Sequence, residues 1–169
     1  MTSNKYTLLI YIWMTVMAFT ASLTSCERHT VYNHFEHTSI SGWERNDTLV
    51  FVTSPLSAGS YDEQLALRIS GHYPFTSVCL VVEQTAQPTH QLIRDTLMCN
   101  LIDEEGIVKG HGVSNYQYLF PLKRLRVADG TTLHIAVHHD MKREILPGIT
   151  DLGIIIKDAD GGSRQASGK

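Results

Sequence analysis

Four side chains able to ligate a metal crowd the segment TTLHIAVHHD: His134, His138, His139 and Asp140. In an extended strand His138 and Asp140 share a face while His139 points to the other. His134 lies about 13 Å along the strand from His138, so a shared ion would need a further donor such as His111. The chain has nine histidines but no HExxH, the spacing that brings two imidazoles to one helix face. The expectation is solvated polar faces, with no metal and no cofactor. Nucleophilic chemistry has as little to build on. GxSxG is absent, SAGS and SGH read as turns, and Ser114 has His111 nearby in sequence but no sign of an oxyanion hole. GHG at 110–112 does not open a helix, so it makes no phosphate cradle. No catalytic residue is expected, and the chain reads as a non-enzyme.

Cysteine chemistry is more informative. Cys79 and Cys99 fall in adjacent predicted strands whose midpoint lies in the turn PTH. A symmetric hairpin would set them opposite each other, with Cβ atoms about 5 Å apart, and an oxidising compartment would then permit a disulfide. A one-residue bulge would misalign them and leave two small apolar side chains in the core. The second outcome is the expectation. Cys26 differs from both. It ends LTSC, where the apolar run YTLLIYIWMTVMAFTASL gives way to ERHT, and Lys5 supplies a short positive region before that run. Leu23, Thr24, Ser25 and Cys26 resemble the bacterial lipobox. That resemblance implies alkylation of the Cys26 thiol by a diacylglyceryl group, cleavage before it, and acylation of the new amino group. A single membrane-spanning helix is the alternative for so long a run, but an anchor of that kind has no need of a cysteine at its exit. Residues 1–25 are read as a lipoprotein signal peptide. One acyl chain holds a protein only marginally; two or three on one residue make attachment effectively permanent.

The elements that must position these groups are strands. EQLALRIS places Leu65, Leu67 and Ile69 on one face, with Ala66, Arg68 and Ser70 on the other. TTLHIAVHH sets Leu133, Ile135 and Val137 against His134, Ala136 and His138. DTLVFVT, TSVCLVVE, DTLMCNL, YQYLF and LGIIIK are short, rich in β-branched or aromatic residues, and separated by turns such as SPLSAGS, TAQPTHQ, DEEG and LPG. Strands at this spacing predict an all-β chain, a single antiparallel β-sandwich of jelly-roll type spanning 26–157. DMKREIL is the one candidate for a short helix, capped by Asp140 and closed by Pro147-Gly148. The tail 158–169 has no apolar residue larger than Ala and is expected to be disordered.

Two aromatic groups complete the inventory. Tyr116, Tyr118 and Phe120 alternate onto one face. Exposed, they would stack on sugar rings, as in a carbohydrate-binding module; buried, they are core, which is the expectation. Trp43 is read as a core plug. Lys123, Arg124 and Arg126 form no basic stripe and the net charge is −3, so nucleic acid is not an expected partner. Without residues 1–25 the charge becomes −4, from 13 basic and 17 acidic residues. Membrane affinity would then have to come from the acyl chains.

The order of features resembles the gliding-motility lipoprotein family GldH of Bacteroidetes-type bacteria. The resemblance is carried by VYNHF after the lipobox region, Trp43 followed by NDTLVF, and YDEQLALRISGHYPF with Arg68 and Tyr73. RDTLMCNL, GIVKGHG and the closing HHDMKREILPGITDLGIIIK continue it, from about Thr30 to Lys157. Lys142 stands where the resemblance leads one to expect arginine, with Arg143 beside it. The resemblance implies a cell-envelope lipoprotein that supports surface-motility or allied secretion machinery by binding other envelope proteins, without catalysis and with no small-molecule substrate. ERHTV after Cys26 has a single acidic residue, whereas acidic runs at that place mark surface export in such bacteria. The expected location is therefore the periplasmic side of the outer membrane.

Overall fold

Apolar alternation builds two facing sheets. A computed structural model describes residues 30–159, and all the regular structure in that span is β. The strands are β1 (Thr30–His37), β2 (Trp43–Glu44), β3 (Leu49–Val52), β4 (Gly59–Ser70), β5 (Ser77–Gln87), β6 (Gln91–Asn100), β7 (Asn115–Pro121), β8 (Leu125–Val127), β9 (Thr132–His139), β10 (Ile145–Leu146) and β11 (Ile149–Asp158). The expected signal peptide, Cys26 and nearly all of the expected tail lie outside the described residues. Asp158, assigned in sequence to that tail, pairs with Tyr61 as the last residue of β11.

One sheet runs β1-β11-β4-β7, with β8 continuing along β4 beyond the end of β7; the other runs β3-β9-β5-β6. All ladders in both are antiparallel. Apart from the β5–β6 hairpin and the β7–β8 turn, each successive main strand crosses to the opposite sheet, which is the winding of a jelly roll. The expected all-β sandwich is the fold. Leu65, Leu67 and Ile69 of β4 and Leu152, Ile154 and Ile156 of β11 face Leu80 and Val82 of β5 and Leu133, Ile135 and Val137 of β9, all of them buried. Each such side chain contributes about 1.5–3 kcal/mol by leaving water.

At one seam the ring of His34 on β1 meets Phe51 of β3 edge-on at 6.2 Å. At the other, Lys123 Nζ donates to Asp95 Oδ1 at 2.6 Å, tying the turn after β7 to β6. A small flap, β2 paired with β10, closes one end. Its Trp43 and Leu146 are fully buried, and the indole N–H donates to the Asp47 carbonyl. Trp43 is the core plug expected of it.

The short helix expected at DMKREIL does not form. Asp140 does not cap anything; its backbone N–H donates to Cys79 O and its carboxylate accepts from Arg45. Met141 turns its sulfur to the Cys79 N–H. Ile145 and Leu146 pair with Glu44 and Trp43. Seven residues gain too few intrahelical bonds to offset helix nucleation when strand partners are at hand.

Candidate functional site

The outer face of the β1-β11-β4-β7 sheet carries side chains in register rows. One row is Phe35, Gly153, Ala66 and Leu119; the next is His37, Asp151, Arg68 and Gln117. Phe35 lies flat across Gly153, where a Cβ would come within 2.6 Å of its ring. The Arg68 guanidinium sits 4.0 Å above the centre of that ring, and its Nε donates to Gln117 Oε1 at 3.3 Å. Arg68 is thus held by a cation–π contact and an amide, and it forms no ion pair with the neighbouring Asp151.

Asp151 is on this face because of a bulge. Ile149 pairs with Ile69 and Asp151 with Arg68, so Thr150 is an extra residue on β11. Simple alternation would point Ile149 and Asp151 the same way. The added residue lets Ile149 stay in the core and turns the Asp151 carboxylate outward. Its neighbours hold the bulge: Thr38 N–H donates to Thr150 O, and the Thr38 hydroxyl to Ile149 O. Ser70 N–H donates to Gly148 O at 2.7 Å. Gly148, at φ +85°, lies so close to the Tyr73 backbone that a Cβ would be 2.7 Å from its nitrogen.

These segments surround an open cavity of about 680 Å³ lined by His37–Ile40, Ser70, His72 and the stretch Pro147–Asp151. Its one carboxylate is Asp151, with a side chain only 10% exposed. Oδ2 accepts from the Thr150 hydroxyl at 2.8 Å. Oδ1 has the Nδ1 of His37 against it as an ion-pair contact, but no hydrogen bond of proper geometry. The His37 side chain is itself 84% exposed. No lysine or arginine lines the cavity. A second cavity, about 430 Å³, opens beside β7 between Lys109, His111, Gln117 and Tyr118.

Glu63 and His139 are buried in the core instead. Glu63 points inward from β4 and accepts from Gln84 Nε2 at 2.6 Å, while its Oε1 has no partner. Burial pushes its carboxyl up to about 7, outweighing the opposing effect of the Gln84 bond. His139 is fully buried, donates from Nε2 to the Trp43 carbonyl and meets the indole edge-on at 5.3 Å. Burial holds its imidazole below the usual range.

The residues singled out in sequence disperse. His134 is exposed, His138 half-buried on the outer face of β9, and His139 in the core, so the expectation of solvated faces fails at His139. Among the described residues no three His, Cys, Asp or Glu side chains gather as a metal site would require. His111 belongs to the cavity beside β7, and Ser114 is exposed before that strand. Tyr118 is buried, and Tyr116 and Phe120 pack partly buried on the core; the Tyr118 and Phe120 rings lie nearly parallel at 6.2 Å. The row faces inward, as expected of core. Cys79 pairs with Met98 and Cys99 with Val78. The two thiols therefore point to opposite faces, and both are free. They are misaligned without any bulge, since the β5–β6 ladder runs without a register shift; the expectation of two core side chains holds for buried Cys99 and fails for Cys79, which is half-buried on the outer face. Asp151 and Glu63 were not picked out in sequence. Glu63 was accessible to it, since it shares the parity of Leu65 and Leu67.

Residues 30–156 match the family model described as GldH lipoprotein. No curated protein matches the chain. Among solved structures, the family GH115 4-O-methyl-α-glucuronidase BtGH115A is 11% identical with a TM-score of 0.42, over 80% of this chain and 18% of that one. A carbohydrate-binding module specific for non-crystalline cellulose, CBM28, is 15% identical at 0.38, over 73% and 71% of the two chains. CBM35 from Cellvibrio japonicus Abf62 is 10% identical at 0.34, over 79% and 93%. At these identities and scores none of the three bears on what this chain binds.

Proposed function

The chain belongs to the GldH lipoprotein family, and from that premise we propose that it is a non-catalytic component of the bacterial cell envelope that binds other envelope proteins of a surface-motility or allied secretion machine. Its mature form begins at Cys26, is tethered by acyl chains on that residue and faces the periplasm from the outer membrane. The observation that carries this reading is the family match across 30–156, set directly behind the lipobox-like LTSC. The sandwich supplies a rigid frame, and its loops and outer faces supply contact surface. The inward Tyr116–Tyr118–Phe120 row supports protein contact over sugar stacking at that strand.

Two measurements test it. A clickable fatty acid fed to cells should enter the wild-type protein and not a Cys26→Ala variant, and that variant should leave the membrane pellet. Crosslinking in intact cells should return a small set of envelope-machine proteins. Recovery of bulk porins alone would count against the partner reading, and continued sedimentation of Cys26→Ala against the anchor.

A further inference from the structure

We propose that the cavity beside Asp151 is a recognition pocket for a lysine or arginine side chain of the partner envelope protein. This rests on the partner-binding reading above and names the site. A carboxylate withdrawn from water is stable only when its oxygens are well bonded. Asp151 is nearly covered, yet only Oδ2 has a proper hydrogen bond, from Thr150. Its one cationic neighbour in register, Arg68, is committed to Phe35 and Gln117. His37 touches Oδ1 from the solvent side with most of its ring in water, so it can swing aside at little cost. The group left to complete the site is a cationic N–H donor from outside. An anion would be repelled, and a neutral sugar would leave the charge uncompensated.

The rim selects a protein over a free amine. The Ile40 side chain stands wholly exposed at the cavity edge, where it can pack against residues flanking the inserted base. The cavity is also wider than one side chain requires. Position agrees. Thr30 is four chain steps from Cys26, a reach of at most about 14 Å, and His37 lies at the opposite end of β1, roughly 23 Å further on. A lipid tether at Cys26 therefore enters the sandwich at the end of β1 opposite the pocket. The net charge of −4 that remains without residues 1–25, from 13 basic and 17 acidic residues, attracts a basic partner at long range.

The test uses the full-length lipidated protein in cells, with a photo-crosslinking amino acid at Ile40 and, as a remote control, at Met98, which is exposed on the other sheet. The Ile40 crosslinks should map within a few residues of a Lys or Arg on one envelope protein. Asp151→Asn should lower their yield at least about tenfold, as expected when a buried charge pair loses one member. In solubilised wild-type protein, which avoids any folding defect of the variant, the peptide acetyl-Gly-Arg-Gly-amide should suppress the crosslink while its citrulline twin does not. Crosslinks unrelated to basic residues, crosslinks to a second copy of this chain, or equal effects of the two peptides would overturn the pocket. If Met98 captures envelope-machine proteins and Ile40 captures none, the pocket falls and the partner reading stands. If neither captures any, both fall.

Discussion

Glu63 on β4 and Gln84 on β5 join the two sheets through a 2.6 Å hydrogen bond inside the core. The pair is a polar clasp in apolar surroundings, with one carboxyl oxygen unbonded. A carboxyl kept protonated there suits the site, because the neutral form is cheaper to bury.

Stability should therefore fall as pH rises through this group's range. The unfolded chain releases the proton near 4.5 while the folded protein keeps it to about 7. Folding is favoured below 4.5, the advantage is lost across that window, and the loss levels off above about 7, totalling about 3 kcal/mol. Glu63→Gln should unfold at a higher temperature than wild type at pH 8, by several degrees at about 2–4 °C per kcal/mol, with little difference at pH 4. Thermal melts at the two pH values check this. Equal shifts at both would remove the titration as the cause.

His139 acts in the opposite direction. Its folded-state value is lowered by burial against Trp43, so the unfolded chain takes up a proton first as pH falls through about 6.5. Stability contributed by the neutral ring is present above that value and lost on acidification. In a Glu63→Gln background, adding His139→Gln should lower stability at pH 7.5 but flatten the remaining slope between 7 and 5. Urea titrations across that range provide the measurement, and an unchanged slope would contradict the assignment.

Gly148→Ala should destabilise more than Gly153→Ala. At Gly148 the new methyl meets the Tyr73 backbone at φ +85°, which costs at least about 1–3 kcal/mol with no side chain free to yield. At Gly153 it meets the Phe35 ring, which can swing off and release Arg68. Chemical denaturation should rank the two variants in that order. The reverse ranking would mean that Phe35 is more firmly seated than its half-buried state suggests.

The two thiols of the hairpin should differ sharply in reactivity. Burial pushes Cys99 up to about 12 and leaves it no exposed surface, whereas Cys79 is half-exposed on the outer face. With Cys26 replaced by Ser throughout, an aromatic disulfide reagent at pH 8 should give native labelling that vanishes in Cys79→Ser and persists in Cys99→Ser. Cys99 should react only after denaturant is added. Rapid native labelling of Cys99 would place it outside the core.

The central strands were legible because each has one apolar face, and alternation reports that directly, as in EQLALRIS and TTLHIAVHH. The same alternation pairs His139 with Leu133 and Val137, so its burial was readable. β1 was harder. Its inward positions are Tyr32, His34 and Glu36, and its one large apolar aromatic, Phe35, faces outward; only the partner strand β11 makes the segment extended. β2 and β10 have two residues each, below any period. The bulge at Thr150 had no local signal, and without it Asp151 would be assigned to the core beside Ile149. The candidate pocket was hidden for the same reason, since its lining joins the end of β1, the end of β4 and the β10–β11 turn.

β11 is the last of the described strands yet lies between β1 and β4. Until residues 149–158 arrive, the first strand has no neighbour to bond with and that half of the molecule stays open. Premature closure of an incomplete chain is thereby discouraged by connectivity alone. Loss of the final ten-residue strand should abolish folding outright, where loss of a peripheral strand would only weaken it.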